Sequence, residues 1–287
     1  MLWLLIALLL LCALYLFLIA PASKRPDDRA LRGWLYAHRG LHDGNQSVPE
    51  NSLEAFRLAA ENGYGIELDV QLTRDGMLVV HHDASLKRVC GVDKAIGSLS
   101  YDELCKIPLP DGSRVPLFSE VLALVDSRVP MIVEVKHYGG AARIAAETLK
   151  FLRGYRGAYC VESFDPRAVL FLRKNAPDVI RGQLASGNPD DQASMGAPTY
   201  WLLKNLLVNV AGRPHFIAYS AAPTVVCIVP LVGPLVGSIW FGVCCFIGCK
   251  YSMRLPWSRT GLALGPLYLI AFAIGMQLIR QFLSMSA

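Results

Sequence analysis

The first 20 positions, MLWLLIALLLLCALYLFLIA, carry no charged residue. As a helix, a run of that length rises about 30 Å, the thickness of a bilayer's hydrocarbon core. Lys24, Arg25, Arg29 and Arg32 follow it, and the positive-inside rule keeps that side cytoplasmic. The pattern predicts an N-terminal transmembrane anchor over 1–20, a basic juxtamembrane linker over 21–32 and a cytoplasmic domain after it. A cleaved signal peptide normally carries Lys or Arg ahead of the apolar run, and none stands there. Ala20-Pro21-Ala22 keeps a cleavage site as the alternative.

From Trp34 to Tyr219 the periodicity changes. Short β-rich runs at 34–38, 65–72, 130–136, 158–164, 179–184 and 215–219 alternate with helical stretches such as 52–63 and 140–154. Strand–helix alternation predicts an α/β fold with a parallel sheet and crossover helices. Asp75-Gly76 interrupts it with a hairpin turn. A two-residue type I′ turn there pairs Arg74 with Met77, Leu72 with Val79 and Asp69 with His82, which would set His82 rather than His81 on the Asp69 face. After Pro49-Glu50, Asn51 and Glu54 fit a capping box at a helix start. The segment 200–210 has an apolar face of Leu203, Leu206, Leu207 and Val210, read either as a helix packed on the sheet or as one resting on lipid.

Composition adds less. The chain is 53% hydrophobic and 18% charged with a mean hydropathy of +0.37, and the excess sits at the two ends. The net charge of +5 comes without a basic stripe interleaved with aromatics, which excludes a nucleic-acid binder. Cys90, Cys105 and Cys160 are irregularly spaced with no CxxC pair, so neither a zinc site nor a disulfide framework is expected. No protein partner is evident.

The polar residues inside the strands carry the chemistry. In GIELDVQL, Glu67 and Asp69 fall on one face, about 7 Å apart, and repel each other unless a cation sits between them. Glu134 and Lys136 share a side of PMIVEVK. Glu67, Asp69 and Glu134 are hard oxygen donors suited to Mg²⁺ or Ca²⁺; ion pairs with Lys136 or Arg39 are the alternative. His38 and His82, each at a strand end beside acids, suit acid–base work near neutral pH, although a lone histidine is more often a packed one. Arg39 offers a planar fork for a phosphate. With no P-loop and no kinase pattern, the set points to hydrolysis of a phosphate ester.

HRG (38–40), PEN (49–51), ELDVQLTRDG (67–76), VVHHD with L-x-R (79–88), PLFSEVL (116–122), VEVK (133–136) and ESFDP (162–166) together resemble the glycerophosphodiester phosphodiesterases over residues 33–220. The resemblance implies a (β/α)₈ TIM-type barrel related to the phosphatidylinositol-specific phospholipases C. It implies metal-dependent hydrolysis of glycerophosphodiesters to sn-glycerol 3-phosphate and an alcohol. His38 and His82 match the acid–base pair, Arg39 the phosphate-contacting arginine, and Glu67, Asp69 and Glu134 the metal ligands. Lys136 matches a substrate-side lysine, Glu50 a pocket position without a fixed role, and 84–115 a small inserted subdomain over the site. In the family scheme the glycerol 2-hydroxyl attacks first and water then opens a cyclic phosphate. With an anchor present, a lysophospholipase D acting on membrane lysolipids is the alternative activity, and a catalytically impaired lipid binder the alternative of another class.

The tail, 221–287, breaks the pattern. It has no Asp or Glu and holds four of the eight cysteines. Three readings stand: two membrane helices, degenerate versions of barrel strands seven and eight, or an end whose reading frame has changed. The abrupt loss of acids favours the third.

Overall fold

The computed structural model describes residues 2–186 and 196–220. Its centre is a parallel sheet of β1 (Tyr36–His38), β2 (Gly65–Leu72), β4 (Met131–Val135), β5 (Tyr159–Ser163), β6 (Ile180–Ser186) and β7 (Phe216–Ser220), in that order. The short β3 (Leu78–Val80) pairs antiparallel with β2. All six parallel strands fall where the alternation places them. Between them run α2 (Leu53–Glu61), α5 (Phe118–Val125), α6 (Ala141–Leu152) and α7 (Pro166–Asn175). The inserted segment 84–115 contributes α3 (Lys87–Cys90) and α4 (Tyr101–Leu104), and α8 (Ala197–Lys204) and α9 (Asn209–Gly212) precede β7. The expected seventh and eighth barrel strands, and every reading of the 221–287 tail, lie outside the described residues.

Strand alternation decides which side chains meet the helices. Ile66, Leu68 and Val70 of β2 are fully buried against Phe56 of α2, Phe118 and Val121 of α5, and Ile144 of α6. Burial of that kind is worth about 1.5–3 kcal/mol per side chain. The alternate positions, Glu67 and Asp69, therefore face the opposite side of the sheet together. Parallel register carries the same face across the strands, with Asp69 level with Glu134 and Glu134 level with Glu162. The inserted segment has a small core of its own, in which Leu86, Val89, Ile96 and Leu104 pack on Val79.

The hairpin register is one residue away from the expected one. Leu72 pairs with Leu78 and Gln71 with Val79, because Asp75-Gly76 sits in a three-residue loop. Thr73 closes that loop on Met77 with its backbone N–H and accepts the Met77 N–H on its hydroxyl. Gly76 takes the left-handed φ of +84°, which marks the bulged type of hairpin. The Asp75 carboxylate accepts from the Thr73 hydroxyl and the Tyr101 N–H. The register thus sets His81, not His82, opposite Asp69.

Two helix expectations are also corrected. Ser52, not Asn51, caps α2 by accepting the Ala55 N–H, and Glu54 pairs with Arg57. The 200–210 segment is not one amphipathic helix. Leu206 has φ +59° and separates α8 from α9; Leu203 is buried, while Trp201 and Leu202 are exposed.

The N-terminal run is a helix, α1 (Leu2–Ile19), of 18 residues. Among the described residues no helix is long and apolar enough to cross a membrane; at 1.5 Å per residue, α1 spans about 27 Å against a hydrocarbon core of about 30 Å. Trp3, Leu9, Leu10, Leu11, Leu16 and Phe17 are all at least 60% exposed. Its last turn docks on the α9–β7 corner, where Arg213 donates to the carbonyls of Phe17 and Ala20 and Asn209 to that of Ile19. A cation at these free carbonyls complements the helix dipole.

Candidate active site

Glu67, Asp69 and Glu134 come together as alternation requires. Each offers a carboxylate oxygen, all three within 4.8 Å of one another, and all three residues are buried. The Lys136 ammonium lies 2.7 Å from Asp69 Oδ1 and 2.7 Å from Glu134 Oε1, so the ion-pair alternative holds for these two acids. Among the described residues no lysine or arginine side chain pairs with Glu67 in this way. Its Oε2 accepts the Arg39 backbone N–H at 3.0 Å and lies 3.9 Å from His38 Nε2.

The charges are unequally satisfied. Burial, then Asp69 and Glu134, push the Glu67 carboxyl well above its ordinary range. Burial raises Glu134 to about 7, the Asp69 charge adding and Lys136 opposing. For Asp69 burial acts upward too, but the Lys136 and His82 charges and the Lys136 and Asn51 hydrogen bonds outweigh it and hold the group down. Lys136 stays charged because Asp69 and Glu134 offset its own burial. Glu162, the register neighbour of Glu134, is pushed up to about 8 by burial and by Glu134 and Asp69. Four buried acids thus face Lys136 and, at longer range, the Arg39 guanidinium that Glu50 shares. The oxygen-only donor set and the leftover negative charge fit a hard divalent cation.

Around the acids runs a hydrogen-bonded frame. Arg39, with φ +58°, lies in the left-handed region, turns its N–H onto Glu67 and donates from Nη1 to Glu50 at 2.9 Å. Its Nε is 3.5 Å from Asp69 Oδ2. Gly40, at φ +83°, has no room for a side chain, since a Cβ would stand 2.8 Å from that of Ala55. Arg88 grips Glu50 through two nitrogens at 2.6 and 2.8 Å and Asp83 through Nε at 2.6 Å. Asp83 in turn holds His82 Nδ1 at 2.6 Å. Backbone strain at Arg39 and at Asn51, φ +55°, is of the kind that gathers at functional sites.

His38 is 69% exposed at its side chain, and burial and the Arg39 charge lower its pKa. His82 is half-buried. Burial and Lys136 lower its pKa, while Asp69 and Asp83 pull it up. The two imidazoles lie close enough for the charge of His82 to bear on His38. His82 thus belongs to the acid cluster although the register argument that chose it fails: the pairing runs on to His81, and His82 stands just past it, held by Asp83. His81 is buried with its N–H on the Asp69 carbonyl, and its pKa falls to about 4 through burial.

Glu50 lies at the hub of the frame. Burial pushes its carboxyl up, and Arg88, Asn45 and Arg39 outweigh this and hold it far below the usual range. Three residues went unassigned in the sequence. Asn51 donates to Asp69 Oδ2 at 2.8 Å, Asp83 holds His82, and Glu162 joins the acids. Glu162 was legible from alternation within AYCVESF and the register of neighbouring strands. Asp83 and Asn51 depend on loop geometry that no periodicity reports.

The glycerophosphoryl diester phosphodiesterase family model matches residues 38–225. The chain belongs to this family. It is 32% identical over 163 residues to the glycerophosphodiester phosphodiesterase of Caldanaerobacter subterraneus subsp. tengcongensis, covering 52% of this chain and 65% of that one. It is 31% identical over 173 residues to the Homo sapiens glycerophosphodiester phosphodiesterase 1, covering 54% of this chain and 49% of that one. The chain therefore spans less than two thirds of these relatives' length. The fold is similar to that of an Oleispira antarctica phosphodiesterase solved with the product sn-glycerol-3-phosphate, with a TM-score of 0.50, 23% identity, and coverage of 57% of this chain and 70% of that one. The family thus accounts for the TIM-barrel-like curl of the parallel sheet.

Proposed function

We propose that this member of the glycerophosphodiester phosphodiesterase family hydrolyses glycerophosphodiesters to sn-glycerol 3-phosphate and an alcohol at the Glu67–Asp69–Glu134 centre. The observation that carries the reading is the convergence of three buried carboxylates within 4.8 Å, two histidines and the Arg39 fork on one side of the sheet. Glu67, Asp69 and Glu134 would hold a divalent cation, which supplies charge stabilisation to a phosphoryl oxygen when bound. Arg39, fixed by Glu50, binds the phosphate. His82, held by Asp83, and the exposed His38 form the acid–base pair, one accepting the attacking hydroxyl's proton and the other protonating the leaving oxygen. Lys136 neutralises Asp69 and Glu134 and serves as the substrate-side lysine. The α1 helix attaches the chain to a bilayer, on the support of its unbroken apolar composition, its exposed side chains and the basic residues after it. The basic residues Lys24, Arg25, Arg29 and Arg32 are what assign the barrel to the cytoplasmic side in this reading.

The test is product analysis with two substrates. Glycerophosphocholine should give glycerol 3-phosphate with the full chain and none with His82→Ala. Turnover of lysophosphatidylcholine to lysophosphatidic acid, with glycerophosphocholine untouched, would replace the reading by a lysophospholipase D.

A further inference from the structure

A second cluster of charge lies on the other face of the sheet. Gly182 is level with Glu162 and shares the face of the acids. Its neighbour Arg181 therefore points outward, toward the helices, beside the N-terminal ends of β6 and β7. There it lines a cavity of about 530 Å³ together with Lys24, Arg173, Arg213, His215 and Phe17. Among the described residues no Asp or Glu lines this cavity.

Among the described residues the three arginines are held by carbonyls, not carboxylates. Arg173 donates to Val210 and Ala211, and Arg213 to Phe17 and Ala20. Arg181 is 4% exposed and donates from Nε to Gly212 and from Nη2 to Arg213. Its Nη1 is buried with no hydrogen-bond partner among the described residues. A buried guanidinium facing only dipoles is costly, and an anion relieves it. Burial and the nearby Arg173 charge depress the Arg181 pKa, as expected where no anion answers them. His215 adds no charge, because burial and Arg181 lower it to about 4. It serves as a fixed strut, accepting the Arg181 N–H on Nδ1 and hydrogen-bonding the Lys24 backbone.

Position says which anion. The cavity includes Phe17 and Ala20, at the end of α1, and Arg213 stacks over the Phe17 ring at 4.5 Å. With α1 in a bilayer, the cavity stands within about one helical turn of the hydrocarbon boundary, inside the headgroup layer. Four cations, against an Asp28 already paired with Arg25 and Arg32, favour a net negative headgroup over a zwitterionic one, whose ammonium would meet no carboxylate in the described lining.

We propose that this cavity binds the phosphate of an anionic phospholipid headgroup and so fixes how the barrel sits on the membrane. The inference rests on the bilayer reading of α1 but not on the catalytic one. It is tested with the full chain in neutral detergent, titrated with short-chain phosphatidylglycerol, short-chain phosphatidylcholine and inorganic phosphate, and read by intrinsic fluorescence. Phosphatidylglycerol should saturate at one per chain and bind well ahead of the other two. Arg173→Gln and Arg181→Gln should each weaken it about fivefold, the factor for one basic residue at an anionic surface, with glycerophosphodiester turnover unchanged. Arg181 ties down two carbonyls, so if its variant misfolds, Arg173→Gln carries the test. Equal binding of the two lipids, or wild-type affinity in Arg173→Gln, overturns the site. Inorganic phosphate binding as tightly as phosphatidylglycerol overturns the lipid assignment in favour of a free-anion site. Flotation with phosphatidylcholine vesicles separates the two failures: a chain that does not float refutes the bilayer helix, and with it the lipid as occupant.

Discussion

Replacing Lys136 by Met probes the balance of charge at the acid centre. Met keeps most of the side-chain volume and removes the ammonium that lies 2.7 Å from both Asp69 and Glu134. Those partners are 1% and 8% exposed, so water cannot replace the lost cation. At an effective dielectric of about 20, each contact carries roughly 6 kcal/mol of gross attraction. Part of this only repaid the desolvation of the lysine, and removing one partner of a buried pair costs about 3–5 kcal/mol net. For a domain of this size that corresponds to a fall in Tm of roughly 6–20 °C. Melting of the full chain in detergent, with and without millimolar Mg²⁺ or Ca²⁺, should show two effects. The variant melts lower without metal, and the cation raises its Tm by more than it raises that of the wild type, because the ion then supplies all of the missing charge. A variant that melts within about 1 °C of the wild type in EDTA would refute the reasoning.

Three further outcomes follow from neighbouring contacts. Asp83→Asn leaves His82 without its carboxylate partner, so kcat should fall about 10²-fold while KM moves little, and the acid limb of the pH–rate profile should shift to lower pH. Gly40→Ala forces a side chain into a left-handed backbone site 2.8 Å from the Ala55 Cβ and should cost about 1–3 kcal/mol in urea unfolding; a neutral result would remove the steric argument. His81 has a folded pKa of about 4, below its unfolded value of about 6.5. Its stability contribution is therefore complete above the unfolded value and is lost as pH falls toward the folded one. From pH 7 to pH 5 the wild type should lose about 2 kcal/mol more than His81→Gln, a difference that excludes the opposing contribution of the raised acids.

The parts of this molecule that depend on side-chain period were legible in its sequence. Alternation alone placed Glu67 and Asp69 on one face and Ile66, Leu68 and Val70 on the other, because only one of those faces is covered by helices. What failed depended on a single residue's backbone or on a loop. Asp75-Gly76 promised a two-residue turn, and the Thr73 hydroxyl drew it into a three-residue loop that slipped the register by one. Leu206 at φ +59° broke a helix that looked continuous. Asn51 looked like a cap and instead supports Asp69. The family resemblance carried His82 past the wrong register, since a motif preserves a position in space that a pairing rule misplaced.

The most direct test of a metal-held phosphodiesterase centre is calorimetric titration of Mg²⁺ and Ca²⁺ into the EDTA-stripped full chain, with glycerol 3-phosphate release followed on the same samples. The account predicts one ion per chain, with turnover rising in step with occupancy. It also predicts that binding and turnover are both lost in Glu67→Gln and in Asp69→Asn. Full turnover in EDTA, or one ion still bound when both acids are neutralised, would contradict it.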